Sequence, residues 1–312
     1  GRISEDRDID DIAGVFPTQL ADDIEAATGL RWDIASDVMV AGLPAPNAAT
    51  AHPVPPHASC WKSFITLRLD PSSLEPQEYR LTIARSGIDV VGGDTEGVRN
   101  GVQTLRQIIR QCAPALPRLV IADKPAYKVR GYYLDATRGR VPTLDWLKTW
   151  ADRLCLYKYN QLQLYIEHTF MFDDLSETWR GTSPLKPADI IAFDEYCARL
   201  GIELVPSVST FGHQYMAMRT RELRHLGEFP EDADRQYGFV ERQRHHTLNI
   251  TEPESLAFSF KLIDAYVQAR GRSPRAGHHD IPARHAANAH GNQFRHLHGR
   301  PREQPREPQA QH

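Results

Sequence analysis

Long apolar runs, paired cysteines and an excess of positive charge are all missing from this 312-residue sequence. No segment reaches the roughly 18 apolar residues of a membrane-spanning helix, so we expect no membrane partner. The formal net charge of -3 offers no general attraction for a polyanion, so we expect no nucleic-acid partner. The four cysteines, with no CxxC spacing, are predicted to be buried free thiols; they are Cys60, Cys112, Cys155 and Cys197.

A signal peptide is not indicated either, because no charged start precedes an apolar stretch. The first residue is Gly rather than Met, so the compartment stays open, with the cytoplasm slightly favoured. The hydrophobic content of 41% and charged content of 25% are typical of a globular chain. Residues 271–312 differ: they hold seven of the 14 His, no Lys, and only Ile281, Phe294 and Leu297 as large apolar residues. This composition predicts a low-order tail over residues 268–312.

The first part of the chain has the pattern of a small α+β domain, which we place at residues 1–120. Apolar residues alternate as in half-buried strands, and the second and third strands are joined by a turn at Ser86-Gly87. Gly97 and Gly101 would let the following helix, with Asp94 as its N-cap, lie close to a sheet. The predicted elements are helix Thr18–Leu30, strands Phe64–Leu69, Tyr79–Ile83 and Ile88–Val91, and helix Asp94–Gln111.

Beyond a Pro-containing linker, strands and helices alternate, which predicts a parallel sheet of the α/β class. The sheet could be doubly wound or could belong to a (β/α)₈ TIM barrel. The predicted strands are Gly131–Asp135, Gln161–Ile166 and Glu203–Val208, and the helices are Thr143–Tyr157, Pro187–Leu200 and Glu254–Val267.

Polar residues follow all three of these strands, where parallel α/β proteins place their working groups. Asp135 and Arg138 follow the first strand, Glu167-His168 the second, and His213 the third. We expect them to line one mouth that suits a hydroxyl-rich ligand. The alternatives are a structural ion pair for Arg138 and a structural role for His213. A zinc site from Glu167, His168 and His213 is conceivable, although no ligand spacing supports it.

Several motifs, in order, resemble glycoside hydrolase family 20, the β-N-acetylhexosaminidases. The resemblance spans about residues 60–267, and each motif is weak by itself. The motifs are the hairpin and helix of Tyr79 to Gln111, then Ile121-Ala-Asp-Lys-Pro125, Leu134-Asp-Ala-Thr-Arg138, Tyr157-Lys-Tyr-Asn-Gln-Leu-Gln-Leu164, Gly201-Ile-Glu-Leu-Val-Pro206 and Phe211-Gly-His213. The resemblance implies that the α+β domain precedes an incomplete (β/α)₈ barrel, with strands one to three in residues 121–267.

The same resemblance implies roles for the residues that follow the strands. Arg138 matches an arginine that grips the hydroxyls of a terminal sugar. Glu167 and His213 match a pair that supports the general acid, although many members carry Asp where this chain has Glu167. The expected partner is an N-acetylhexosamine-containing glycan, with no cofactor and no metal, and Asp135 and His168 are further candidates. The oligomeric state is not indicated.

The chain differs from the family in the two acidic residues that act directly on the substrate. In the family's retaining reaction the substrate's own acetamido oxygen attacks, while an Asp orients it and the adjacent Glu protonates the leaving group. No such Asp-Glu pair follows a strand here, and Asp194-Glu195 falls inside a helix, where it indicates a solvated face. We therefore expect no catalytic residue and no turnover, and a reading frame truncated or disrupted after about residue 267. The alternative is a carbohydrate-binding pseudoenzyme.

Overall fold

The computed structural model describes residues 2–5, 15–36, 64–238, 240–241 and 247–269. Cys60, and the predicted tail from residue 270 onward, lie outside the described residues. The chain divides into two compact units. The first consists of Gly1–Tyr133, Pro142–Gln163 and Ala192–Leu204, and the second of Leu134–Val141, Leu164–Ile191 and Val205–His312. No described helix is both long enough and apolar enough to cross a membrane.

A six-stranded mixed sheet forms the centre of the first unit. Its strands are β1 (Arg2–Glu5), β2 (Asp33–Ser36), β3 (Phe64–Leu69), β4 (Tyr79–Ala84), β5 (Gly87–Gly92) and β6 (Leu119–Asp123), in the order β2-β1-β3-β5-β4-β6. Strands β4 and β5 form the predicted antiparallel hairpin, with Ile83 opposite Ile88. Alternate side chains of β3 and β4 are buried, as the period of two predicted.

Helix α1 (Val15–Thr28) and helix α2 (Thr95–Cys112) belong to the same unit. The Asp94 carboxylate caps α2 by accepting a hydrogen bond from the Gly97 amide at 2.7 Å, as predicted. Gly101 allows the close approach to the sheet, because a Cβ there would lie 2.6 Å from Cγ1 of Val90. The apolar stripe of α2 is buried, including Val98, Val102 and Leu105.

The second sheet has three parallel strands, β7 (Gly131–Asp135), β8 (Gln161–Ile166) and β9 (Glu203–Val208), in the order β7-β8-β9. All three strands have the predicted bounds. The helices that alternate with them and follow them are α3 (Leu144–Leu156), α4 (Ser176–Trp179), α5 (Pro187–Arg199), α6 (Tyr215–Met218) and α7 (Pro253–Ala269). The carboxyl ends of the strands, with the loops that follow them, belong to the second unit.

Two sequence predictions about individual side chains are wrong. Asp194 does not lie on a solvated face of α5: it is 1% exposed, because it is four residues from Ile190 and three from Cys197 on the buried stripe. Only Glu195 of this pair is exposed. Cys112, at the end of α2, is an exposed thiol rather than a buried one, whereas Cys155 and Cys197 are buried as predicted.

Candidate functional site

The site begins where strand β7 ends. The Asp135 carboxylate folds back on its own loop, and its Oδ1 accepts hydrogen bonds from the amides of Thr137 at 2.8 Å and Arg138 at 3.2 Å. This is an Asx turn, in which a short acidic side chain replaces a backbone acceptor. Burial opposes ionisation, but these bonds and the Arg138 guanidinium together lower the pKa of Asp135. A charged Asp135 therefore fixes the loop that presents Arg138.

Arg138 joins the residues that follow all three strands. Its Nη1 pairs with Asp135, and its Nη2 lies 3.2 Å from Oε1 of Glu167 and 3.2 Å from Nδ1 of His213. These contacts raise the pKa of Arg138, chiefly through the bond to Asp135. The Arg138 side chain remains 53% exposed. A guanidinium that is anchored on one side and open on the other can donate to a ligand's oxygen atoms.

Glu167 is the most buried charged group of the cluster, with its side chain 14% exposed. Its amide donates to the Thr137 hydroxyl at 3.0 Å, and its Oε1 accepts a hydrogen bond from the Tyr165 hydroxyl at 2.8 Å. Burial raises the pKa of Glu167, and the bonds from Tyr165 and Arg138 oppose that rise. Tyr165 was not among the residues predicted from the sequence. The available signal was its position two residues before Glu167, because side chains two apart in an extended segment point to the same side.

His213 stands in a loop that forces an unusual backbone conformation. Its φ is 61°, in the left-handed region that non-glycine residues rarely adopt. The loop is held by hydrogen bonds from the Ser209 hydroxyl to the Gly212 carbonyl and from the Gln214 amide to the Ser209 carbonyl, each 2.6 Å long. Strained residues of this kind cluster at functional sites, since the surrounding structure must hold them in place. Here the strain brings Nδ1 of His213 to 3.5 Å from Oε1 of Glu167.

The His213 imidazole lies between two charged groups. Its Nδ1 is 3.2 Å from Nη2 of Arg138 and 3.5 Å from Oε1 of Glu167, and the imidazole is 34% exposed. Arg138 can only donate and an ionised Glu167 can only accept, so the tautomer of His213 decides which of the two bonds to Nδ1.

His168 occupies a different place from the other predicted residues. It is half-buried and lines a cleft together with Glu167, His213 and apolar side chains such as Phe172 and Phe258. Burial lowers the pKa of His168. Among the described residues, no group of three or more His, Cys, Asp or Glu side chains is arranged to hold a metal ion.

The charges of the cluster suit a neutral polar ligand. Two carboxylates and one guanidinium offer acceptors and donors within a few ångströms, and sugar hydroxyls both donate and accept. A phosphate would meet Asp135 and Glu167 as well as Arg138, which does not favour an anion. The five residues predicted from the sequence all lie in the second unit, and four of them are linked through Arg138.

Known proteins resemble this chain in sequence and in fold. Residues 18–124 match the family model described as glycosyl hydrolase family 20, domain 2. A β-hexosaminidase of Akkermansia muciniphila is 30% identical over 169 residues, which are 45% of this chain and 33% of that protein. A lacto-N-biosidase of Bifidobacterium bifidum is 28% identical over 210 residues, covering 65% of this chain and 17% of that protein. The chain thus spans a third or less of these two relatives.

Solved structures show the same fold. A Streptomyces plicatus N-acetyl-β-hexosaminidase in complex with Thio-NAglucal superposes with a TM-score of 0.61, at 20% identity, over 86% of this chain and 52% of that one. A Vibrio harveyi family 20 exo-β-N-acetylglucosaminidase in complex with N-acetylglucosamine superposes with a TM-score of 0.64, at 16% identity, over 94% and 46% of the two chains. Residues 18–124 therefore match a glycoside hydrolase family 20 domain, and the chain as a whole is similar to part of the length of β-N-acetylhexosaminidases of that family.

Proposed function

We propose that this chain provides the sugar-gripping part of a β-N-acetylhexosaminidase-like site, which binds the terminal N-acetylhexosamine of a glycan. The observation that carries the proposal is the convergence on Arg138, which reaches Asp135, Glu167 and His213 from the ends of three strands. The half-exposed guanidinium donates to the sugar hydroxyls. The carboxylates of Asp135 and Glu167 hold it and accept from the same hydroxyls.

The proposed architecture follows from the same resemblance. Strands β7, β8 and β9 are the first three strands of a (β/α)₈ barrel within residues 121–267, and residues 1–120 form the domain that precedes it. Three parallel strands with helices in alternation, and the family 20 fold of the structural relatives, support this assignment. In such barrels the working residues stand at the carboxyl ends of the strands, where this cluster lies.

The proposed chemistry is the binding half of a retaining, substrate-assisted hydrolysis. Glu167 orients His213, and His213 supports a general acid through hydrogen bonding. The Asp-Glu pair that would orient the acetamido group and protonate the leaving oxygen follows no strand in this sequence. Its one Asp-Glu dipeptide, Asp194-Glu195, lies on α5, with Asp194 buried. The chain as given therefore binds the sugar without turning it over.

Two measurements on the full chain test this proposal. Isothermal titration with N-acetylglucosamine should show saturable binding that an Arg138→Ala variant weakens. Release of nitrophenol from 4-nitrophenyl N-acetylglucosaminide should stay at the uncatalysed rate. Absence of sugar binding would refute the binding proposal, and nitrophenol release that is lost in an Arg138→Ala variant would refute the lack of turnover.

A further inference from the structure

A buried phenol lies beneath the charged cluster. Tyr165 is 2% exposed and lies near the end of β8, two residues before Glu167, which directly follows the strand. Its hydroxyl is 2.8 Å from Oε1 of Glu167. Burial and the neighbouring carboxylate raise the pKa of Tyr165 far above its ordinary value. The phenol therefore stays protonated, and since an ionised carboxylate can only accept, Tyr165 donates to Glu167.

Oε1 of Glu167 is the meeting point of the cluster. It receives the Tyr165 hydroxyl at 2.8 Å and Nη2 of Arg138 at 3.2 Å, and it lies 3.5 Å from Nδ1 of His213. The Arg138 guanidinium carbon also lies 5.5 Å from the centre of the Tyr165 ring, within the range of a cation–π contact. The Tyr165 side chain thus contacts both Glu167 and Arg138, the two charged groups that the proposed site needs.

We propose that Tyr165 is a positioning residue of this site, whose hydroxyl orients the Glu167 carboxylate toward Arg138 and His213 while its ring supports the guanidinium. This inference rests on the proposed function, because the positioned groups are those assigned to the sugar. Tyr165 lies beneath the carboxylate and acts through it rather than by contact with the ligand.

The Tyr165 hydroxyl should affect the pH at which Glu167 titrates. The ionisable groups that face Glu167 are Tyr165 from the preceding strand β8, Asp135 and Arg138 after β7, the adjacent His168, and His213 after β9. Removing one donor from a buried carboxylate raises its pKa, because the charged form loses a hydrogen bond that the neutral form needs less. In Tyr165→Phe we expect Glu167 to titrate about one pH unit higher, since a hydrogen bond to a charged group has about that effect.

The experiment compares Tyr165→Phe with Tyr196→Phe in the full chain. Tyr196 is a matched control, because its hydroxyl also donates to a carboxylate, Oδ1 of Asp152 at 2.9 Å, but it lies in the first unit. The Glu167 carboxyl is followed by ¹³C NMR through a pH titration, its resonance assigned with Glu167→Gln. Affinity for N-acetylglucosamine is measured across the same pH range, and thermal unfolding monitors the fold.

We expect Tyr165→Phe to shift the Glu167 titration upward, to weaken sugar binding about tenfold, and to move the acidic limit of binding to higher pH by the same amount. Tyr196→Phe should leave all three unchanged. An unaltered Glu167 titration in Tyr165→Phe, or equal losses of affinity in the two variants, would overturn the inference. If the unsubstituted chain binds no sugar, the proposed function fails together with the positioning role, although the titration still reports whether Tyr165 holds the carboxylate.

Discussion

Replacing Arg138 by alanine should separate sugar binding from stability. The arginine side chain is 53% exposed and pairs with Asp135 and Glu167 on its inner side. Ion pairs at this exposure contribute about 0–1 kcal/mol to folding. Tyr165 continues to donate to Glu167 in the variant, so that carboxylate keeps a partner. We therefore expect a loss of unfolding free energy below about 1 kcal/mol.

The loss of affinity should be larger. A hydrogen bond from a charged donor contributes about 1.5–3 kcal/mol when its partner is otherwise left unpaired. Each 1.4 kcal/mol corresponds to a factor of ten in the dissociation constant. Arg138→Ala should therefore bind N-acetylglucosamine about tenfold to a hundredfold more weakly than the unsubstituted chain.

Isothermal titration measures this change, and Arg68→Ala serves as the matched control. Arg68 has a 46% exposed side chain and pairs through two nitrogens with Asp89, so its removal costs the same charge and a similar ion pair. Arg68→Ala should keep the affinity of the unsubstituted chain. The reasoning is refuted if Arg138→Ala binds the sugar as tightly as Arg68→Ala, or if Arg138→Ala unfolds so easily that its affinity loss follows its stability loss.

Three further predictions concern stability. The pKa of Asp135 is lowered in the folded chain, so its contribution to the free energy of unfolding is present above its unfolded pKa and is lost as pH falls through the folded pKa. In chemical denaturation at a series of pH values, Asp135→Asn should therefore lose less stability toward acidic pH than the unsubstituted chain does. Arg99 is fully buried and donates to three backbone carbonyls, so Arg99→Met should lower the free energy of unfolding in urea by about 3 kcal/mol or more. The exposed control Arg110→Ala should lower it by less than about 1 kcal/mol. Equal losses in the two variants would contradict this prediction. Gly101→Ala would place a Cβ 2.6 Å from a valine methyl and should cost about 1–3 kcal/mol, whereas Gly212→Ala, with open space, should be nearly neutral in the same assay.

Strong local periodicity made much of the fold predictable. Strands Gly131–Asp135, Gln161–Ile166 and Glu203–Val208 have the predicted bounds, and helix α2 begins after its predicted cap at Asp94. The short strands β1, β2 and β6 carried no such signal. Strand β6 lies at the sheet edge with mostly exposed side chains, so it has no regular in-and-out alternation to detect.

The sequence by itself determined which residues follow the parallel strands, because the order of strands and helices dictates that their carboxyl ends meet at one edge. Tertiary structure alone decided how those residues engage one another. The left-handed conformation of His213 and the bond from Tyr165 to Glu167 are local, but no period in the sequence signals them. The approach of Arg138 and His213 to Oε1 of Glu167 depends on contacts between segments far apart in the chain. The burial of Asp194 has the same origin, since the neighbours that enclose a helix face are not encoded in the helix itself.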